Sequence, residues 1–151
     1  DRIILGEIRG PEAIDMLQAM NTGHEGSFGT IHANTPRDAL SRLETMVGMG
    51  MPNLADRTIR EMIARSVDLV VQLVRYQDGT RRLAMVTEIV GMSGDNVDTN
   101  DIFVFEQDTV DQDGKVHGKF RATGVEPLFA ERLRRNGIDI PQGLFSFSSS
   151  S

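Results

Sequence analysis

The chain has 151 residues, 39% hydrophobic and 25% charged, which is ordinary for a globular protein of one domain, or of a core with a small appendage. Its net charge of -6, with no concentrated basic block, disfavours nucleic acid as the main partner, and the lack of cysteine excludes disulfides and thiolate metal sites. No apolar run approaches the ~20 residues of a membrane span, and no signal-peptide pattern is present.

In chain order, Ile3, Ile4 and Leu5 form a continuous apolar run stopped by Gly6, the pattern of a short buried strand over 2–6. Pro11 and Glu12 suit the first turn of a helix, and Ala13, Ile14, Leu17 and Met20 continue at helical spacing until Asn21-Thr22-Gly23. A second strand is expected over 28–33. Thr35 and Pro36 then read as the N-cap and first position of a helix with Ala39, Leu43, Met46 and Val47 on its buried stripe. Residues 48–52 are a Met- and Gly-rich break. Their methionines are core filler or, alternatively, a hinge or contact surface. A further helix runs to Arg65, with Ile59, Met62 and Ile63 on one face.

Residues 67–74 are strongly β-prone, and Asp78-Gly79 predicts a tight hairpin to a return strand over 82–90. Residues 91–100 read as a loop, 102–105 as a short strand, and Asp113-Gly114 as another turn leading to a strand over 119–123. A helix over 127–135 should turn Leu128, Phe129 and Leu133 inward and end at Gly137. The Ser-rich stretch 146–151 has the composition of a disordered tail. These expectations give three parts: 1–91, 92–145 and 146–151.

The chemistry-bearing residues concentrate in the first third. Hydrolysis of a nucleoside triphosphate requires the phosphates to be cradled, a cation to bridge them and a water to be aimed at the terminal phosphorus. Glu7, at the end of a rigid strand, suits the last task, and Gly6 beside it leaves room for phosphates. A solvent-facing strand-end glutamate is the bland alternative. His24 and His32 are two of only three histidines, and both fall in the same loop–strand unit. Each could donate to a phosphate or relay its loss, or else serve as a helix-capping and a partly buried strand histidine. Thr22, Ser27 and Thr30 could add hydroxyl donors. Glu7, His24 and His32 could together hold a metal, although their spacing matches no zinc pattern. Arg9 and Arg42 could stabilise transferred charge or simply pair with acids.

In combination, these residues resemble the secretion-ATPase superfamily of type II and type IV secretion and pilus motors, with the CpaF/TadA-type ATPase of tight-adherence pilus assembly as the nearest branch. Arg2-Ile3-Ile4-Leu5-Gly6-Glu7-Ile8-Arg9 looks like its Walker B segment, with Gly6 where Asp is more usual. Residues 17–24 and Thr30-Ile31-His32-Ala33-Asn34 look like its histidine box. Residues 36–44 and 118–145 resemble the same branch. The resemblance covers about residues 1–145.

The resemblance implies an α/β fold: the C-terminal part of a RecA-like P-loop ATPase core, with a C-terminal antiparallel hairpin and helix appended. It implies ATP and Mg2+ as cofactors, with Glu7, His24 and His32 catalytic, Gly6, Arg9 and Thr30 at the nucleotide, and Glu7 reaching Mg2+ through water. It further implies a homo-oligomer, a hexamer, working in the cytoplasm at the inner membrane on platform proteins of a pilus or secretion system, without nucleic acid. A non-catalytic docking module, or the motor of a conjugative or effector secretion system, are the alternatives. No Gly-x-x-x-x-Gly-Lys-Ser/Thr loop is present, nor the acidic box that would precede Walker B. The chain is therefore expected to be the C-terminal piece of a larger ATPase, binding ATP weakly and turning over essentially none alone.

Overall fold

A computed structural model describes residues 1–147, so positions 148–151 of the expected tail lie outside the described residues. The chain forms two units, one of residues 1–68 and 89–98, the other of residues 69–88 and 99 onward. The two units interleave along the chain.

The first unit is built on β1 (Ile4–Leu5), α1 (Ala13–Asn21), β2 (Phe28–Gly29), α2 (Pro36–Gly50) and α3 (Asp56–Ser66). β1 and β2 pair in parallel, Ile4 opposite Phe28 and Leu5 opposite Gly29. Both strands are shorter than the sequence pattern suggests, yet backbone bonds continue the pairing at each end, from Phe28 N to Ile3 O (3.1 Å) and from Ile8 N to Thr30 O (2.8 Å). One face rests on α1. A Cβ at Gly29 would sit 2.9 Å from the Met16 sulfur and 3.1 Å from Ile8 Cδ1, so the strand approaches the helix only because residue 29 has no side chain. The other face is bare: Ile4 is 65% exposed and Phe28 53%.

Below the strands the three helices close a core of Ile8, Ala13, Met16, Leu17, Leu43, Met46, Val47, Ile59 and Ile63. α2 starts as expected, with the Thr35 hydroxyl accepting from Asp38 N and Pro36 in the first turn. It then runs through the expected break to Gly50. Tertiary packing overrides the weak helix propensity of Gly48 and Gly50. A Cβ at Gly50 would lie 2.5 Å from Ile14 Cδ1, so this glycine is what lets the end of α2 meet α1. Arg60 of α3 joins Glu44 of α2 at 2.9 Å.

The remaining strands are β3 (Leu69–Arg75), β4 (Arg81–Ser93), β5 (Asn96–Val110) and β6 (Val116–Ala122), in the spatial order β3-β4-β5-β6. The loop expected over 91–100 is instead a hairpin. Gly94, at φ 60°, supplies the positive dihedral that a two-residue connection needs at its first position. Arg57 and Arg60 then hold Asp95 at its tip, at 3.3 Å and 3.2 Å. The turn residues Gly94, Asp95 and Asn96 mask long strands on either side.

In the second unit, Asp78 ties the β3–β4 turn to the start of β6. Its Oδ1 accepts from Thr80 N (2.9 Å) and Thr80 Oγ1 (2.6 Å), and its Oδ2 from Val116 N (2.9 Å). Arg82 donates to Val116 O at 2.7 Å and lies 5.0 Å over the Phe105 ring. Glu88, 4% exposed, accepts from Leu128 N (3.0 Å) and Phe129 N (3.2 Å), capping α4 (Phe129–Arg135) from another element. Because that cap begins the helix at Phe129, Leu128 points outward at 67% exposure and Ala130 is buried in its place, against expectation. Phe103 meets Phe120 at 5.6 Å and Phe145 at 5.8 Å, and the Phe147 ring lies 4.9 Å from the Arg121 guanidinium.

Two outcomes test this account. Leu17, 1% exposed at the centre of the helical core, should cost about 2–5 kcal/mol when replaced by Ala, read by urea denaturation. The hydrogen bonds from Thr80 and Val116, first the Thr80 hydroxyl, hold the Asp78 carboxyl at about 2 instead of the ordinary 3.8. A lowered folded value means its stabilisation is complete above 3.8 and is lost as pH falls toward about 2. Thermal melts of wild type and Asp78→Asn should therefore differ by several degrees at neutral pH and converge through that acidic window.

Candidate functional site

Glu7 is the second residue past β1. The bond from Ile8 N to Thr30 O extends the parallel register beyond the strands, so the chain segments carrying Glu7 and His32 run alongside each other. The Thr30 hydroxyl donates to Gly6 O, fixing the same junction from the side chain. Two residues 25 apart in sequence are thereby joined: His32 Nδ1 lies 2.8 Å from Glu7 Oε1. The second carboxylate oxygen, Oε2, is 2.6 Å from Arg9 Nη2. An ionised carboxylate only accepts, so Nδ1 is the ring nitrogen that carries the proton toward Glu7. The Glu7 side chain is 27% exposed, whereas those of His32 and Arg9 are 80% and 78% exposed.

The Arg9 hydrogen bond, opposed by partial desolvation and aided by the Arg9 and His32 charges, holds the Glu7 carboxyl below its ordinary value. Glu7 also raises Arg9. The turn that presents both is clamped by Glu12, whose Oε1 accepts from Arg9 N (2.6 Å) and Gly10 N (3.1 Å). Those backbone bonds hold the Glu12 carboxyl low as well. Helix-start chemistry alone makes Glu12 no more than a favourable first-turn acid. Its position three residues after Arg9 and one after Pro11 is the signal in the sequence for a turn cap.

The other expected residues are placed differently. His24 sits in the turn between α1 and β2, where its carbonyl accepts from Ser27 N and Ser27 Oγ. Its Nδ1 is enclosed without a hydrogen-bond partner, and among the described residues no hydrogen bond or ion pair joins it to Glu7 or His32. The three hydroxyls face backbone carbonyls: Thr22 donates to Gln18 O, Ser27 to His24 O and Thr30 to Gly6 O. Arg42 shares an open cleft with His32, Asn34, Asp38 and Ser41 and makes no ion pair among the described residues.

Among the described residues no cluster of three or more His, Cys, Asp or Glu could hold a metal, so Glu7, His24 and His32 do not converge as ligands. A Mg2+ that keeps most of its waters and binds phosphate needs only one or two carboxylates. Glu7, partly open and ionised, fits that limited role. No Gly-x-x-x-x-Gly-Lys-Ser/Thr phosphate loop occurs in this sequence.

The chain matches the family model described as Type II/IV secretion system protein over residues 1–129, and it belongs to that family. It is 38% identical over 109 residues to the conjugal transfer protein TrbB of Rhizobium radiobacter, covering 72% of this chain and 32% of that protein. It is 42% identical over 85 residues to the type IV secretion system protein PtlH of Bordetella pertussis, covering 54% and 25%. The crystal structure of the VirB11 ATPase from the Brucella suis type IV secretion system, in complex with sulphate, superposes with a TM-score of 0.53 at 35% identity, over 56% of this chain and 26% of that one. The chain spans about a quarter to a third of the length of the curated relatives it matches. Its mixed α/β architecture is consistent with the C-terminal part of a P-loop ATPase. No described helix is long and apolar enough to cross a membrane.

Since Arg9 is the largest cause lowering Glu7, Arg9→Gln should return the Glu7 carboxyl toward its ordinary 4.5, and His32→Ala should move it up by less. A carboxyl-carbon NMR titration reads both. Equal shifts, or none, would contradict the assignment.

Proposed function

We propose that the chain is the C-terminal part of an ATP-hydrolysing motor subunit that powers secretion or pilus assembly across the bacterial envelope. One observation carries the reading: the parallel β1–β2 register joins Glu7 to His32 at 2.8 Å, turning a strand-end acid and a distant histidine into one oriented unit. Family membership agrees with it.

Bound Mg-ATP would supply the phosphoanhydride and the cation that offsets its charge. The chain's own residues orient and exclude. Glu7, kept ionised, accepts a proton from a water and thereby aims the water's lone pair. His32 holds the Glu7 carboxylate in one direction through Nδ1–H, and Thr30 and the backbone pairing keep that direction rigid. Gly6, where an added Cβ would meet nothing within 4 Å, leaves the space in front of the acid open. His24 would act from the adjoining turn, where its enclosed Nδ1 has no partner.

A hexameric assembly, a cytoplasmic position at the inner membrane, and contact with membrane platform proteins belong to the same proposal. Without a phosphate loop, the chain alone should turn over essentially no ATP. The relatives named for conjugal transfer and type IV secretion favour that branch over tight-adherence pilus assembly. The docking-module alternative keeps the fold and drops the chemistry.

The deciding experiment is steady-state ATP hydrolysis by the longer protein that carries this chain, with and without Glu7→Gln. Turnover should fall by about a hundredfold or more while ATP still binds. Unchanged turnover would show that Glu7 is not the acid, and no turnover in wild type, with partner proteins supplied, would favour the docking module.

A further inference from the structure

Both oxygens of the Glu7 carboxylate are occupied by the chain itself. Oε1 faces His32 Nδ1 at 2.8 Å and Oε2 faces Arg9 Nη2 at 2.6 Å. The two partners differ in what holds them. His32 arrives on a strand-adjacent segment pinned by Ile8 N to Thr30 O and by the Thr30 hydroxyl. Arg9 arrives on a long side chain, 78% exposed, whose only ion-pair partner among the described residues is Glu7. Its backbone is clamped by Glu12, so the guanidinium can swing while its Cα stays in place. Exposed ion pairs contribute little and open readily. The pair also spans only two residues, so it closes no fold-determining contact.

A carboxylate with both oxygens engaged by N–H donors is a poor acceptor for a water proton. A polyphosphate carries more negative charge than a carboxylate, and it presents oxygens that match the planar fork of a guanidinium. An arriving nucleotide phosphate therefore competes with Glu7 for Arg9.

We propose that Arg9 is a latch on Glu7: it occupies Oε2 in the nucleotide-free state and is drawn off by phosphate, so that the acid becomes available only when nucleotide is present. This rests on the reading of Glu7 as the acid that aims the water. His32 remains on Oε1 throughout and keeps the freed carboxylate oriented. Arg9 is a positioning residue in this scheme, acting through Glu7. The latch limits hydrolysis when binding is incomplete, which is what a motor needs if turnover is to follow assembly.

The test uses the longer protein that carries this chain, as wild type, Arg9→Gln, Glu7→Gln and the double variant. With the latch removed, the Glu7 carboxyl should titrate higher than in the nucleotide-free wild type, the two should coincide once an ATP analogue has drawn Arg9 off, and KM should rise through loss of one phosphate contact. The double variant should be as inactive as Glu7→Gln. Structures of the wild type, nucleotide-free and with Mg2+ and a slowly hydrolysed ATP analogue, supply the readout that does not depend on turnover. The Arg9–Glu7 pair should be closed in the first and parted in the second. A Glu7 titration that still differs between wild type and Arg9→Gln with the analogue bound overturns the latch. A pair that stays closed with the analogue bound overturns it too. Survival of turnover in Glu7→Gln would sink the underlying reading instead, and the two structures would still report whether the pair opens.

Discussion

The parallel pairing of β1 with β2 is the contact on which the site depends. Only two residue pairs are in register, Ile4 with Phe28 and Leu5 with Gly29, and two strands alone are marginal in water. Their stability comes from the helices beneath. Leu5 and Ile31 pack against a core closed by α1, α2 and α3, and Gly29 admits the Met16 sulfur where any side chain would collide. Once that register is set, Glu7 and His32 have little choice but to meet. The bare outer face of Ile3, Ile4 and Phe28 is unusual for a parallel sheet, which is ordinarily covered on both sides.

Carboxylates do three different jobs in this chain, and their surroundings decide which. Asp78 and Glu88 are enclosed and accept backbone N–H groups far away in sequence, at Val116 and at Leu128 and Phe129. They satisfy donors that would otherwise be buried without partners, so they fix connections between elements. Glu12 does the same locally, for the turn after Glu7. Glu7 has side-chain partners from two different residues, one on each oxygen, and stays partly open. It is the carboxylate that the β1–β2 register joins to His32.

Charge in the first unit is arranged in connected pairs. Glu44, Arg60, Asp95, Arg57 and Glu61 form a chain of contacts across α2, α3 and the β4–β5 tip. Isolated surface pairs contribute little, but linked ones share the cost of ordering their side chains. This network explains why a turn rich in Gly and Asp is held as a hairpin and not left as a loop. Arg42 stands outside it, in the cleft beside His32.

The sequence by itself determined the order and type of most elements: the apolar run before Gly6, the caps at Thr35 and Pro36, the Asp78-Gly79 and Asp113-Gly114 turns, and the helix before Gly137. These are local signals, written in neighbouring residues. It also singled out Glu7 and His32, because an acid at a strand end and histidines beside the next strand are visible in one dimension. What only the tertiary structure decided was distance. The joining of Glu7 to His32 and its separation from His24 depend on a two-pair register that no local pattern encodes. The run of α2 through Gly48 to Gly50 depended on Ile14 lying alongside, and the long β4–β5 hairpin on Arg57 and Arg60 reaching its tip. The inward face of α4 was set by Glu88, forty residues away from the helix it caps. Each of these rests on contacts between residues remote in sequence, where burial and hydrogen-bond satisfaction outweigh the weak preferences of glycine, turn residues and helix periodicity.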